Sequence, residues 1–146
     1  MFPRIIIAIF ATGLTIVTVV GEGDSISARK LLMKTNNDNA RLAIQMIRGQ
    51  KPYDPAAVEA AFAQWADTAQ KLPGLFPDDS KTGGETRASP KIWQDKKDFD
   101  DKAAAFGKAV ADNRDQAKAS LDGLKAAIPS VGTACDNCHE DYRLSR

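Results

Sequence analysis

The stretch TACDNCHEDYR, residues 133–143, holds both cysteines and the single histidine of the chain. Cys135, Cys138 and His139 fall within five residues, close to the C-terminus. Read outward toward the N-terminus, the same stretch ends a seam of apolar residues at helical spacing: Leu124, Ile128, Val131, Cys135, Cys138 and Tyr142. The cluster therefore sits on the inner face of a helix predicted over about 121–144. Pro129 lies inside that helix, where a lost backbone hydrogen bond predicts a kink or an irregular first turn.

Cys-x-x-Cys-His is the attachment signature of a c-type haem. The two thiols add to the two vinyl groups of the porphyrin, and the histidine after the second cysteine reaches the iron from one face. Other uses of these residue types fit less well. A structural zinc site wants four ligands, and this chain offers two cysteines and one histidine. A thioredoxin-like pair belongs at a helix start in a βαβ setting, and no stretch here alternates apolar and polar residues as a strand does. A disulfide between residues three apart closes almost no loop and so constrains the unfolded chain little.

Three further helices precede the C-terminal one. The first is predicted from about Asp24, with Asp24 or Ser25 as cap, to Arg48, where Gly49 ends it. Its seam at heptad spacing reads Ile26, Lys30, Met33, Asn37, Ala40, Ile44, Ile47. The second opens in KPYDPAAVEAAF, with Asp54 as cap and Pro55 at the first helical position. It carries Val58, Ala61, Phe62, Trp65, Ala69 and Leu72 on one face, and Pro73-Gly74 stops it. The third restarts at Ser89-Pro90, with Ile92, Phe99, Ala103, Phe106, Val110 and Asn113 at heptad spacing, and ends between Asn113 and Ser120. Between the second and third lies a loop, residues 73–89, with two prolines and three glycines. Loops of that length in compact domains are usually functional or mobile, and a surface crossover held by Leu75 and Phe76 is expected. Four amphipathic segments give an all-α fold, an antiparallel four-helix bundle running up-down-up-down around one covalently attached haem.

The N-terminus is a separate object. Arg4 precedes an uncharged apolar run of 16 residues, Ile5 to Val20, which is short for a membrane span and suits a signal peptide. Cleavage is expected within residues 21–24, leaving residues 24–146 as the haem domain in the periplasm, free of the membrane. Lys+Arg of 20 against Asp+Glu of 19 gives a chain with no basic footprint for nucleic acid.

The second axial ligand decides the function. With one histidine, bis-histidine ligation is excluded, and methionine remains. Met1 leaves with the signal peptide, so the candidates are Met33 and Met46 on the first helix. In an up-down-up-down bundle the first and last helices are antiparallel neighbours, so His139 faces the N-terminal part of the first helix. The two methionines are 13 residues apart, about 20 Å of helix rise, and Met33 is the one at the right level. On spacing alone, Met33 serves equally as a ligand or as core packing.

An exported four-helix chain with CDNCH near its C-terminus resembles the class II c-type cytochromes, the cytochrome c′ family. The resemblance spans residues 24–146. The segments ARKLLMKTN, KPYDPAAVEAAF, LPGLFPDDS, SPKIWQDKKDFD and ACDNCHEDYR are similar to its low-spin branch, cytochrome c-556. In that branch a methionine early in the first helix ligates the iron, which implies Met33. The resemblance also implies that Arg29, one turn before Met33, lies near a haem propionate or the haem edge, and that Arg143 is the basic residue beside the proximal ligand. Trp65 and Trp93 are expected in packing.

The reading that follows is an electron carrier with His139 and Met33 on the iron, working with transient redox partner proteins as a monomer or weak homodimer. The alternative is a five-coordinate, c′-like protein that binds nitric oxide or carbon monoxide. An enzyme is not expected: distal acid–base chemistry needs a histidine or carboxylate, and around Met33 the sequence offers Lys30, Lys34 and Asn37.

Overall fold

The computed structural model describes residues 22–145. The apolar run of the expected signal peptide lies outside them. Five helices follow in order: α1 (Glu22–Ile47), α2 (Pro55–Lys71), α3 (Lys91–Gln94), α4 (Lys96–Ala119) and α5 (Leu121–Tyr142). Two 3-10 turns, Leu72–Leu75 and Asp78–Ser80, punctuate the long crossover. Among the described residues there is no strand, only an isolated antiparallel bridge between Ala88 and Arg143. No described helix is long and apolar enough to cross a membrane.

The long helices form the expected ring: α1 packs on α2, α2 on α4, α4 on α5, and α5 closes back on α1. Local chemistry sets most of the ends. The Asp54 carboxylate accepts hydrogen bonds from the amides of Ala56 (2.9 Å) and Ala57 (3.2 Å), and Pro55 takes the first helical position. Ser120 Oγ accepts from Gly123 N at 3.0 Å and caps α5. Gly49 leaves α1 with φ +69°, a backbone conformation glycine adopts without steric cost.

Four boundary and packing expectations are corrected. α1 starts at Glu22, ahead of the expected cap, and Ser25 is a buried residue inside it. The inward face of α1 carries Ser25, Ile26, Arg29, Met33, Ala43 and Met46, whereas Lys30, Asn37 and Ile44 of the expected seam are exposed. Ile26, Met33, Ala40 and Ile47 of the expected seam do face the core, and the three exposed members alternate with them. The third helix is split: α3 ends at Asp95 (φ −131°, ψ 64°), whose side chain accepts from Asp98 N at 3.2 Å and caps α4. Finally, α5 runs as one helix through Pro129, which leaves out the irregular first turn, one of the two expected outcomes. The residue lies on the exposed side, where losing one backbone hydrogen bond costs least, and Thr133 Oγ1 donates to its carbonyl at 2.9 Å.

The core has two parts. One half holds Ala43 and Met46 of α1, Val58, Phe62 and Trp65 of α2, Phe106 and Val110 of α4, and Leu124 and Val131 of α5. Phe62, with no exposed surface, contributes roughly 2–3 kcal/mol by its burial. The other half is aromatic: Leu72, Phe76, Ile92, Phe99 and Tyr142. There Phe76 meets Phe99 edge-on at 4.8 Å, and Phe99 meets Tyr142 at 5.2 Å. Trp93 stacks edge-on against Phe76 at 5.6 Å and Trp65 against Phe62 at 5.0 Å, the packing roles expected of both.

Candidate haem site on the last helix

Positions 135, 138 and 139 on a continuous helix lie at i, i+3 and i+4, so all three side chains share one face. Cys135 and Cys138 are half-buried and neither is in a disulfide. Burial pushes the Cys135 thiol up to about 11, with the Asp136 charge adding to it. Burial raises Cys138 as well. Both sulfurs are therefore held as thiols. His139 is half-buried, and burial, then the nearby Arg143 and Arg87 charges, hold it below its ordinary value of 6.5. A neutral imidazole keeps a lone pair free for a metal.

The last turn of α5 is fixed from several sides. Asp141 pairs with Lys91 of α3 at 2.6 Å and with Lys102 of α4. Those two ammonium groups hold its carboxyl down at about 2. Tyr142 is buried, and its hydroxyl donates to Asp98 Oδ2 at 2.6 Å. Beyond the helix, Ser89 N donates to Tyr142 O (3.0 Å), Leu144 N to Arg87 O (2.8 Å), and Arg87 Nε to Leu144 O (2.9 Å). The seam marked Tyr142 as inward. Nothing in the sequence marked Asp141 or Arg87, because their partners lie about 40 to 60 residues away.

The two candidate methionines fall in different halves of the core. Met33 packs against the aromatic half, alongside Cys138. Met46 is 3% exposed in the other half, among Ala43, Val58 and Trp65. Of the six residues singled out, then, Cys138 and Met33 border the aromatic cluster, Cys135 one turn earlier on α5 packs against the half that holds Met46, and His139 follows Cys138 on α5.

Arg29 is not on a solvated helix face. It is 4% exposed, and its guanidinium lies over the Phe76 ring, 4.6 Å from the centroid. Nη1 donates to Leu75 O (3.1 Å) and Ser80 Oγ (2.9 Å), and Nη2 to Ser80 O (3.0 Å) and Thr86 Oγ1 (3.0 Å). Four of its five N–H groups are thus committed to the crossover. Arg143 is exposed, at the C-terminal end of α5.

These donors fit a covalently attached haem. Two unpaired thiols stand one helical turn apart, a neutral imidazole follows the second, and a thioether borders the aromatic cluster that Cys138 also borders.

Comparison with known proteins points the same way. The family model described as Cytochrome C′ matches residues 24–143. The chain is 40% identical over 144 residues to a cytochrome c-556 of Rhodopseudomonas palustris, covering 96% of each. It is 39% identical over 127 residues to a cytochrome c′ of the same organism, covering 87% of this chain and 86% of the other. The solved structure of cytochrome c′ from Rhodopseudomonas palustris superposes with a TM-score of 0.79 at 40% identity, over 84% of this chain and 98% of that one. With a four-helix bundle, a CDNCH motif on its last helix and these relatives, the chain belongs to the cytochrome c′ family, the class II c-type cytochromes, whose members bind one covalently attached haem c.

Proposed function

We propose that this protein is a periplasmic carrier of single electrons, with residues 1–23 as its export signal and a low-spin haem held by Cys135 and Cys138 and ligated by His139 and Met33. When bound, the haem supplies reversible gain and loss of one electron at iron. The residues of the chain do the rest. His139 presents a neutral imidazole on a helix end held by Asp141 and Tyr142. Met33 presents its thioether from α1 beside the cluster that also borders Cys138. Phe76, Phe99 and Tyr142 exclude water from that side and lower the local dielectric, and His/Met ligation raises the reduction potential. With both axial positions filled, substrate has no open site, so contact with redox partners is brief and through a small interface. Arg29 has one N–H left for a propionate, and the exposed Arg143 is the freer of the two cations expected there.

The observation that carries this reading is the sharing of one cluster by Met33 and Cys138 while Met46 lies in the other. The test is the absorption spectrum of the holoprotein. A weak far-red sulfur-to-iron band in the oxidised form, and no change when carbon monoxide meets the reduced form, support His/Met ligation.

One observation favours a second reading. The chain is as similar to a cytochrome c′ as to a cytochrome c-556, 39% against 40% identity, so overall similarity does not separate the branches. In that reading Met33 packs without ligating, and the five-coordinate iron binds nitric oxide or carbon monoxide. A reduced spectrum that shifts with carbon monoxide selects it.

A further inference from the structure

We propose that the crossover segment 75–89 is a strap that sets the spacing between the helices bearing the two axial ligands, with Arg29, Thr86 and Arg87 as its positioning residues. The proposal rests on the His/Met reading above.

The strap is tied at both ends close to a ligand. On the α1 side, Arg29 stands one turn before Met33 and donates to Leu75 O, Ser80 Oγ, Ser80 O and Thr86 Oγ1. On the α5 side, the next residues of the strap reach the turn after His139. Arg87 Nε donates to Leu144 O, Leu144 N returns a bond to Arg87 O, Ala88 bridges Arg143, and Ser89 N donates to Tyr142 O. Thr86 joins the two ends. Its single hydroxyl accepts from Arg29 Nη2 at 3.0 Å and from Ala88 N at 3.2 Å.

Two features give this tie mechanical weight. First, among the described residues in the first half of α1, Ser25, Ile26 and Arg29 are buried, and Arg29 reaches across to several partners by hydrogen bonds. Second, α1 packs on α5 far less extensively than α4 does. The level of Met33 relative to His139 therefore depends on the strap as well as on direct helix packing. A buried guanidinium with four protein acceptors has few alternative arrangements, because any shift leaves a buried donor or acceptor unpaired. An iron–thioether bond is weak enough that a small displacement of α1 breaks it while the bundle stays folded.

The experiment compares holoproteins: wild type, Thr86→Val, Arg29→Met, and Tyr53→Phe as a control at the other end of the bundle, where the Tyr53 hydroxyl donates to the Ala117 and Lys118 carbonyls. The far-red sulfur-to-iron band and far-ultraviolet circular dichroism are followed together on heating, and carbon monoxide binding is measured at 25 °C. In wild type and Tyr53→Phe the band and the helix signal are expected to vanish together. In Thr86→Val the band is expected to go several degrees before the helix signal. In Arg29→Met, if it folds, the band is absent at 25 °C and the reduced protein takes carbon monoxide. Should Arg29→Met fail to fold, Thr86→Val, which swaps a hydroxyl for a methyl of the same shape, still decides. A band that persists in Thr86→Val up to the helix melt overturns the strap and leaves His/Met ligation standing. A wild type that lacks the band and binds carbon monoxide overturns the ligation, and the strap's ligand role with it.

Discussion

Gly123→Ala tests the junction that sets the direction of α5, and the structure decides its sign. Helix propensity alone favours alanine by about 1 kcal/mol in a helix interior. Sterics oppose it. A Cβ at position 123 would lie 1.8 Å from Gln116 O and 2.8 Å from Gln116 C, against backbone rather than the end of a flexible side chain. To reach even 3.0 Å, the turn between α4 and α5 has to open by roughly 1 Å. That movement pulls Gly123 N away from Ser120 Oγ, the cap of α5, costing about 1 kcal/mol. The overpacking itself costs about 1–3 kcal/mol. The net expectation is a loss of about 1–3 kcal/mol, a fall in Tm of very roughly 4–12 °C for a chain of this size. Thermal unfolding of the holoprotein by circular dichroism reads it directly. An unchanged or raised Tm refutes the reasoning, because it means propensity outweighs a backbone clash that the turn absorbs freely.

Three further outcomes follow from the site and its supports. Met33→Leu is expected to abolish the far-red band and admit carbon monoxide, whereas Met46→Leu, a swap of similar volume in the other half of the core, keeps the spectrum and costs less than about 1.5 kcal/mol in urea unfolding. Tyr142→Phe leaves Asp98 without the hydroxyl that donates to it, and a loss of roughly 2 kcal/mol in the same assay is expected. The Arg114 hydrogen bond, and then the Arg114 and Lys118 charges, hold Glu59 below its ordinary 4.5 against a smaller desolvation effect. A depressed carboxyl stabilises above the unfolded value and loses that contribution as pH falls through the folded one. The stability difference between wild type and Glu59→Gln, followed by urea midpoints from pH 7 to 3, is therefore expected to be constant above about pH 5 and to shrink below it.

How much of this was legible in the sequence varies with the range of the interaction. Asp54-Pro55 and Ser120 are local devices, and the helices they start are where the sequence places them. CDNCH is local as well, and it names its chemistry through spacing alone. The level of Met33 against Met46 follows from helix rise and bundle topology, and the two halves of the core separate them accordingly. The face of α1 was misread at alternate positions because its inward side is partly polar. Arg29 and Asn36 look like surface residues until their partners are known: Ser80 and Thr86 for one, Thr68 and the Trp65 N–H for the other. The split at Asp95 had local signals in Asp95-x-x-Asp98, a cap three residues before an acidic residue, and in the gap between Ile92 and Phe99 in the apolar seam. The crossover was legible as a loop, but its ties to Arg29 and Leu144 join residues 46 to 57 apart, and no periodicity records such pairs.

The most direct test of the account is the absorption spectrum of the purified holoprotein, oxidised, reduced, and reduced under carbon monoxide. The account predicts a sharp reduced α band, a weak far-red sulfur-to-iron band when oxidised, and no response to carbon monoxide. A broad high-spin spectrum that shifts under carbon monoxide contradicts it, leaving Met33 as packing and the protein as a binder of small gases.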